Sequence, residues 1–208
     1  MRKKARQGPA EGPGNPLREA WMSLVERIAQ ADELGLAVSG LACLDRCVPL
    51  LGGDDEVLRP LWAGLSVDAD PGDWPEQLAK VRDKLDQPGG DDEAVTLAHR
   101  MLEAAPAERS AGDLRPWADA SSVAALRIHR LLDGADPAED PARSVDAPRE
   151  GRTDGMSPLV AAELRRQVTV LEVLSAHGPA GLRRALEVTT EGRRVLRAAL
   201  SRRSRRDG

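Results

Sequence analysis

The densest run of apolar positions, LAVSGLACLDRCVPLLGGDDEVLRPLWAGL from Leu36 to Leu65, divides into two helical pieces around a break. Val38, Leu41, Leu44, Val48 and Leu51 recur at steps of three and four, so they share one helix face. Gly52 and Gly53 offer the left-handed conformations that close a helix. Asp54, Asp55 and Glu56 then place acids where the next helix begins. That second piece carries Leu58, Leu61, Trp62 and Leu65, with Pro60 making its first turn irregular. A helix with so broad an apolar face must bury it against other helices, so this hairpin is the expected centre of the core.

The same reading extends along the chain. Asn15-Pro16 starts an amphipathic helix with Leu17, Trp21, Leu24, Val25 and Ile28 inward, running to near Gly35. Asp73-Trp74-Pro75-Glu76 has the form of a capping box, ahead of a buried face of Trp74, Leu78, Val81 and Leu85. Ala94, Ala98, Met101, Leu102 and Ala105 mark a further helix, and Asp113 to Pro116 opens one carrying Ala124, Ile128, Leu131 and Leu132. Residues 134–156 are rich in Pro, Gly and acids and read as a linker. Beyond them Ser157-Pro158 starts a helix with Val160, Leu164, Val168, Leu171 and Leu174 inward, stopped by His177-Gly178-Pro179. A short helix near 180–188 and a last one near 190–203 follow, the latter weakened at its start by Gly192. The expected fold is all-α, a multi-helix bundle or irregular helical array with a small C-terminal module. Its parts are a disordered basic N-terminus (1–14), a helical core (15–133), an acidic linker (134–156) and the module (157–208).

Composition supports helices. There is no Phe or Tyr and only four Trp, so the core is Leu, Val and Ala, which suits close-packed helices better than sheets. Stacking modes of single-strand recognition, which need exposed rings, are not expected on the same ground. The first residues lead into Gly and Pro rather than an apolar run, and no stretch is expected to span a bilayer, so no membrane role is assigned. Cys43 and Cys47 lie one helical turn apart, a poor disulfide frame, and point to a reduced, cytoplasmic protein.

Candidate chemistry is thin. Zinc wants four ligands, and His99, His129 and His177 are scattered, so both cysteines read as core packing. His99 borders a buried face, while His129 beside Arg127 and Arg130 reads as solvated. The GGDDE copies at 52–56 and 89–93 read as helix stops and caps rather than a carboxylate cation site. No Ser-His-Asp order, phosphate-binding Gly loop or HExxH occurs. No catalytic residue, cofactor or metal ligand is assigned, and the chain reads as non-enzymatic.

Charge is the most informative feature. The net charge is −4, yet residues 182–208 carry nine Arg against three acids and residues 1–11 add +3, leaving the middle near −13. Arg193, Arg194, Arg197, Arg202, Arg203, Arg205 and Arg206 form the candidate nucleic-acid-binding set, with Leu196, Ala199 and Leu200 pointing away from Arg193 and Arg197. The stretch RRQVTVLEVLSAHGPAGLRRALEVTTEGRRVLRAALSRR resembles the helical part of a winged helix-turn-helix domain. In such domains an apolar helix, a His-Gly-Pro-like turn, a short helix and a basic recognition helix follow one another. The resemblance covers about the last fifth of the chain, no wing strands follow, and Gly192 is unusual at its position. It implies contact with DNA through the last helix. The leading expectation is a protein-interaction or regulatory adaptor with a protein partner. The alternative is a nucleic-acid-binding regulator that uses the C-terminal module.

Overall fold

The computed structural model of the chain describes residues 22–85, 92–133 and 141–207, and every regular element among them is helical. The protein is all-α. Helix α1 (Leu24–Gln30) begins at Ser23, whose hydroxyl accepts the Glu26 N–H while the Glu26 carboxylate accepts the Ser23 N–H at 2.8 Å. The expected helix reaching Gly35 breaks at Ala31, because Asp32 caps a new one by accepting the Gly35 N–H at 2.7 Å. Val25, expected inward, is 37% exposed as a result; Asn15, Leu17 and Trp21 lie outside the described residues.

Helix α2 (Glu33–Cys47) is the axis of the fold, with every residue from Gly35 to Cys47 buried. It continues as a 3-10 turn, Val48–Leu51, ended by Gly52 in the left-handed region at φ 70°. The stretch Glu33–Leu51 is long and apolar enough to cross a membrane by length and composition, which the sequence reading did not expect. Here it is the central helix, 83% buried within the protein. Two other helices must come close to it. Gly40 lets α6 (Ala111–Leu132) do so, since a Cβ there would lie 2.5 Å from Cζ3 of Trp117.

Between them run α3 (Arg59–Ala63), α4 (Trp74–Leu85) and α5 (Glu93–Glu103). Asp73 does not cap α4; it sits in a 3-10 turn, Pro71–Asp73, that Asp70 caps by accepting the Gly72 N–H. Asp92 caps α5 by accepting the Ala94 N–H at 2.9 Å. Helix α6 starts at Ser110, which accepts from Asp113 N–H.

The expected linker contains α7 (Pro141–Arg149). Its Val145 and Arg149 are buried, and Arg149 donates to Ser122 Oγ on α6 at 3.2 Å and bonds Asp119. A composition rich in Pro and acid hid a short segment whose few inward groups suffice to dock it. Residues 134–140 lie outside the described set.

Helix α8 (Pro158–His177) starts at its Ser157 cap, and α9 (Leu182–Asp207) follows a 3-10 turn, Gly178–Gly181. The short helix and the last helix expected separately are one unbroken helix of 26 residues, about 39 Å long. The three-helix order of the winged helix-turn-helix resemblance is therefore not formed, because a single helix follows the turn. One apolar cluster joins Leu24 on α1 to Ala199 on α9, so the chain from 157 onward shares its core with the earlier helices.

Candidate functional site: a sealed charge network and an outer arginine ridge

The charged side chains that sequence reasoning missed lie in the middle of this core. Arg46, on the last turn of α2, and Glu163, on α8, both have fully buried side chains. The pair is bidentate: Nη2 of Arg46 donates to Oε1 at 2.6 Å and Nε to Oε2 at 2.9 Å. Gln167 Nε2 donates to Oε1 at 2.9 Å, and Gln167 Oε1 accepts from Ser122 Oγ at 2.6 Å, carrying the network to α6 and on to Arg149. Burial alone would raise the Glu163 carboxyl, but the charge of Arg46 and the hydrogen bonds donated by Arg46 and Gln167 hold it below its ordinary value.

His129, expected to be solvated, is fully buried on α6. Its Nδ1 lies 2.7 Å from the Ala125 carbonyl oxygen, which can only accept, so Nδ1 carries the hydrogen. The neutral ring then turns a bare Nε2 toward Glu163 Oε2 at 3.5 Å. Burial pushes the His129 pKa below its ordinary value, against the pull of the Glu163 carboxylate.

Cys43 and Cys47 are free and buried beside this pair. Burial pushes the Cys43 thiol up to about 12 and the Cys47 thiol well above its usual range, so neither is a ready nucleophile. Among the described residues, no three His, Cys, Asp or Glu converge as metal ligands. The residue types of a reaction centre are present, but Arg46, Glu163 and His129 have no exposed surface on which to meet a substrate. What this arrangement does chemically is tie α2, α6 and α8 together.

A second network begins one residue away and takes up part of the predicted arginine set. Asp45, only 2% exposed, accepts from Trp62 Nε1 at 2.6 Å and from Arg193 Nη1 at 2.8 Å. Its burial raises the carboxyl above its ordinary value, while Arg193 and the indole pull it back. Arg193 is 6% exposed and also donates to the Asp55 carbonyl. Arg197 bonds the Asp55 carboxylate, which this hydrogen bond holds below its usual range. Asp55 is thus a partner of α9, where the sequence suggested only a solvated cap. Arg203 pairs with Asp92 at 3.1 Å, and Arg206 reaches the Leu132 carbonyl at 3.5 Å.

The structure therefore divides the seven arginines. Arg193 and, in part, Arg197 and Arg203 are turned inward and neutralised by acids of the earlier helices. Arg194, Arg202 and Arg205 are exposed and make no hydrogen bond or ion pair with a described residue, and Arg206, also exposed, meets only the Leu132 carbonyl. Arg194 and Arg205 lie eleven residues apart on one line of the helix, roughly 16 Å along its axis, with Arg202 alongside.

An open cleft of about 710 Å³ lies elsewhere, between α1, the start of α2 and the end of α8. Its walls include Arg27, Gln30, Asp32, Glu172 and Ser175, and Arg27 is paired with Glu172 at 2.9 Å. None of the buried-network residues lines it. Compared with family models, curated proteins and solved structures, the chain matches none of them.

Proposed function

We propose that the protein is a non-enzymatic interaction protein of the adaptor or regulatory kind, a rigid helical body that presents a charged surface to a protein partner. The observation that supports this reading is the division of charge. The Arg46–Glu163–His129 cluster and both cysteines are sealed in the core, while exposed arginines that no described acid pairs line the outward face of α9. The bonds from Arg46 through Glu163 and Gln167 to Ser122 join three helices, and such buried bonds can fix one packing of a core, which is what a docking platform requires.

The test is capture of partners from cell extract by the intact chain, with and without nuclease, beside a variant carrying Arg194→Glu, Arg202→Glu and Arg205→Glu. The adaptor reading expects a defined protein that survives nuclease and is lost from the variant. A partner that disappears with nuclease would favour the nucleic-acid reading instead. A turnover assigned to the purified chain and abolished by changing a cleft residue would contradict the reading altogether.

A further inference from the structure

Resting on that reading, we infer that the outer ridge of α9 is the docking surface and that its occupant is a short acidic segment of a partner protein. Between Gly192 and Arg206 the helix holds seven arginines and no acid. Its inner arginines are satisfied at Asp45, Asp55 and Asp92, and Arg206 bonds the Leu132 carbonyl at the helix end, so the positive charge with no protein contact points outward, at Arg194, Arg202 and Arg205. Ala198 and Ser201 lie between them, exposed and small, so an approaching backbone meets no bulk there. Guanidinium forks match carboxylates in pairs, and three of them along three turns suit a chain with acids at matching intervals.

The size and surroundings of the ridge favour such a segment over nucleic acid. A duplex carries about one negative charge per 1.7 Å, so the ridge would face roughly ten charges with three unpaired arginines. Exposed acids flank it. Asp55 is half exposed, and Glu187 and Glu191 stand on the outward side of the same helix toward its start. A duplex sets a dense row of phosphates against those carboxylates; a short segment with a few acids spaced to the arginines meets less of that repulsion. Among the described residues no Trp ring is offered for base stacking either, since Trp62, Trp74 and Trp117 are buried.

The experiment is fluorescence anisotropy of the full chain with a labelled acidic peptide of about five residues, whose extended length of about 17 Å matches the ridge. Duplex DNA and single-stranded RNA of mixed sequence serve as rival probes, each at low and near-physiological salt. The expected result is that the peptide binds more tightly than either nucleic acid at near-physiological salt. The Arg194→Ala, Arg202→Ala, Arg205→Ala variant should lose about tenfold in affinity, as three exposed ion pairs allow. Arg183→Ala with Arg184→Ala, on the same helix but outside the ridge, should leave binding unchanged. Tighter binding of DNA or RNA, no peptide binding at low salt, or an equal loss in the control variant would each overturn the inference. If the extract experiment captures a protein that the ridge variant retains, the adaptor reading stands and only this surface is refuted.

Discussion

Gly192→Ala is the substitution whose sign separates the packing described above from simple helix propensity. Gly192 lies inside α9, where in an exposed helix alanine is favoured by about 1 kcal/mol. In this protein a Cβ at 192 would lie 2.9 Å from Cδ of Arg166, 3.0 Å from Cγ of Arg46 and nearer still to Arg46 Cδ. These are atoms in the middle of the side chains, not mobile tips. Arg46 cannot swing aside, because Glu163 holds it by two nitrogens in a fully buried site. Relief requires either that α9 moves off α2 or that the Arg46–Glu163 pair is broken, and breaking a buried pair costs about 3–5 kcal/mol. Subtracting the propensity gain leaves a net loss of about 2–4 kcal/mol, or roughly 5–15 °C in Tm for a chain of this size. Urea and thermal unfolding followed by far-UV circular dichroism measure it. Gly112→Ala is the control, since its Cβ would make only an ordinary 3.7 Å contact with Ser110 Oγ. That variant should be neutral or slightly stabilised. A Gly192→Ala protein as stable as the parent would refute the close approach of α9 to Arg46.

Three further outcomes follow from the network. Arg46→Met alone should cost about 3–5 kcal/mol by leaving Glu163 buried and unpaired, whereas Arg46→Met with Glu163→Leu should recover most of it; additive losses in urea titrations would argue against the pair. His129 has its pKa lowered by folding, so the unfolded chain takes up the proton first and stability should fall as pH drops below about 6.5. The slope can reach about 1.4 kcal/mol per pH unit and should flatten in His129→Gln; an unchanged profile in that variant would count against the assignment. Cys43 and Cys47 should resist a thiol reagent at mildly alkaline pH in the native state and react as two thiols in denaturant, so rapid native labelling would contradict their burial.

Much of the helical framework was legible in the sequence, and the reasons for the misses are physical. The apolar spacing from Val38 to Leu51 and from Leu78 to Leu85 marks faces that are buried in the structure. The caps at Ser157 and Asp92 hold as side-chain acceptors. Apolar periodicity does not register a buried ion pair, because Asp45 and Arg46 look like polar interruptions on an otherwise apolar helix. Their burial depends on Glu163 and Arg193, more than a hundred residues away. One signal was present: two charges within the most apolar stretch of the chain are costly to bury unless each meets a partner. His129 was misread from its arginine neighbours, though on a helix adjacent residues point in different directions and Ala125 and Leu132 face the same side as it does. Gly192 looked like a defect in a helix; it is a contact point that only the approach of α9 to α2 explains. The arginine set was found by charge alone, and charge could not tell Arg193, with its buried acid, from Arg194 beside it.

The claim that the outer face of α9 meets a protein is tested most directly by photo-crosslinking in cells from a reactive side chain placed at Ala198, at the centre of the ridge. A second probe at Val67, 77% exposed and on a different part of the chain, reports on indiscriminate contact. The account predicts a discrete protein adduct from 198, absent from 67 and abolished when Arg194, Arg202 and Arg205 are changed to Glu. An adduct to nucleic acid from 198, or the same protein captured equally from both positions, would contradict it.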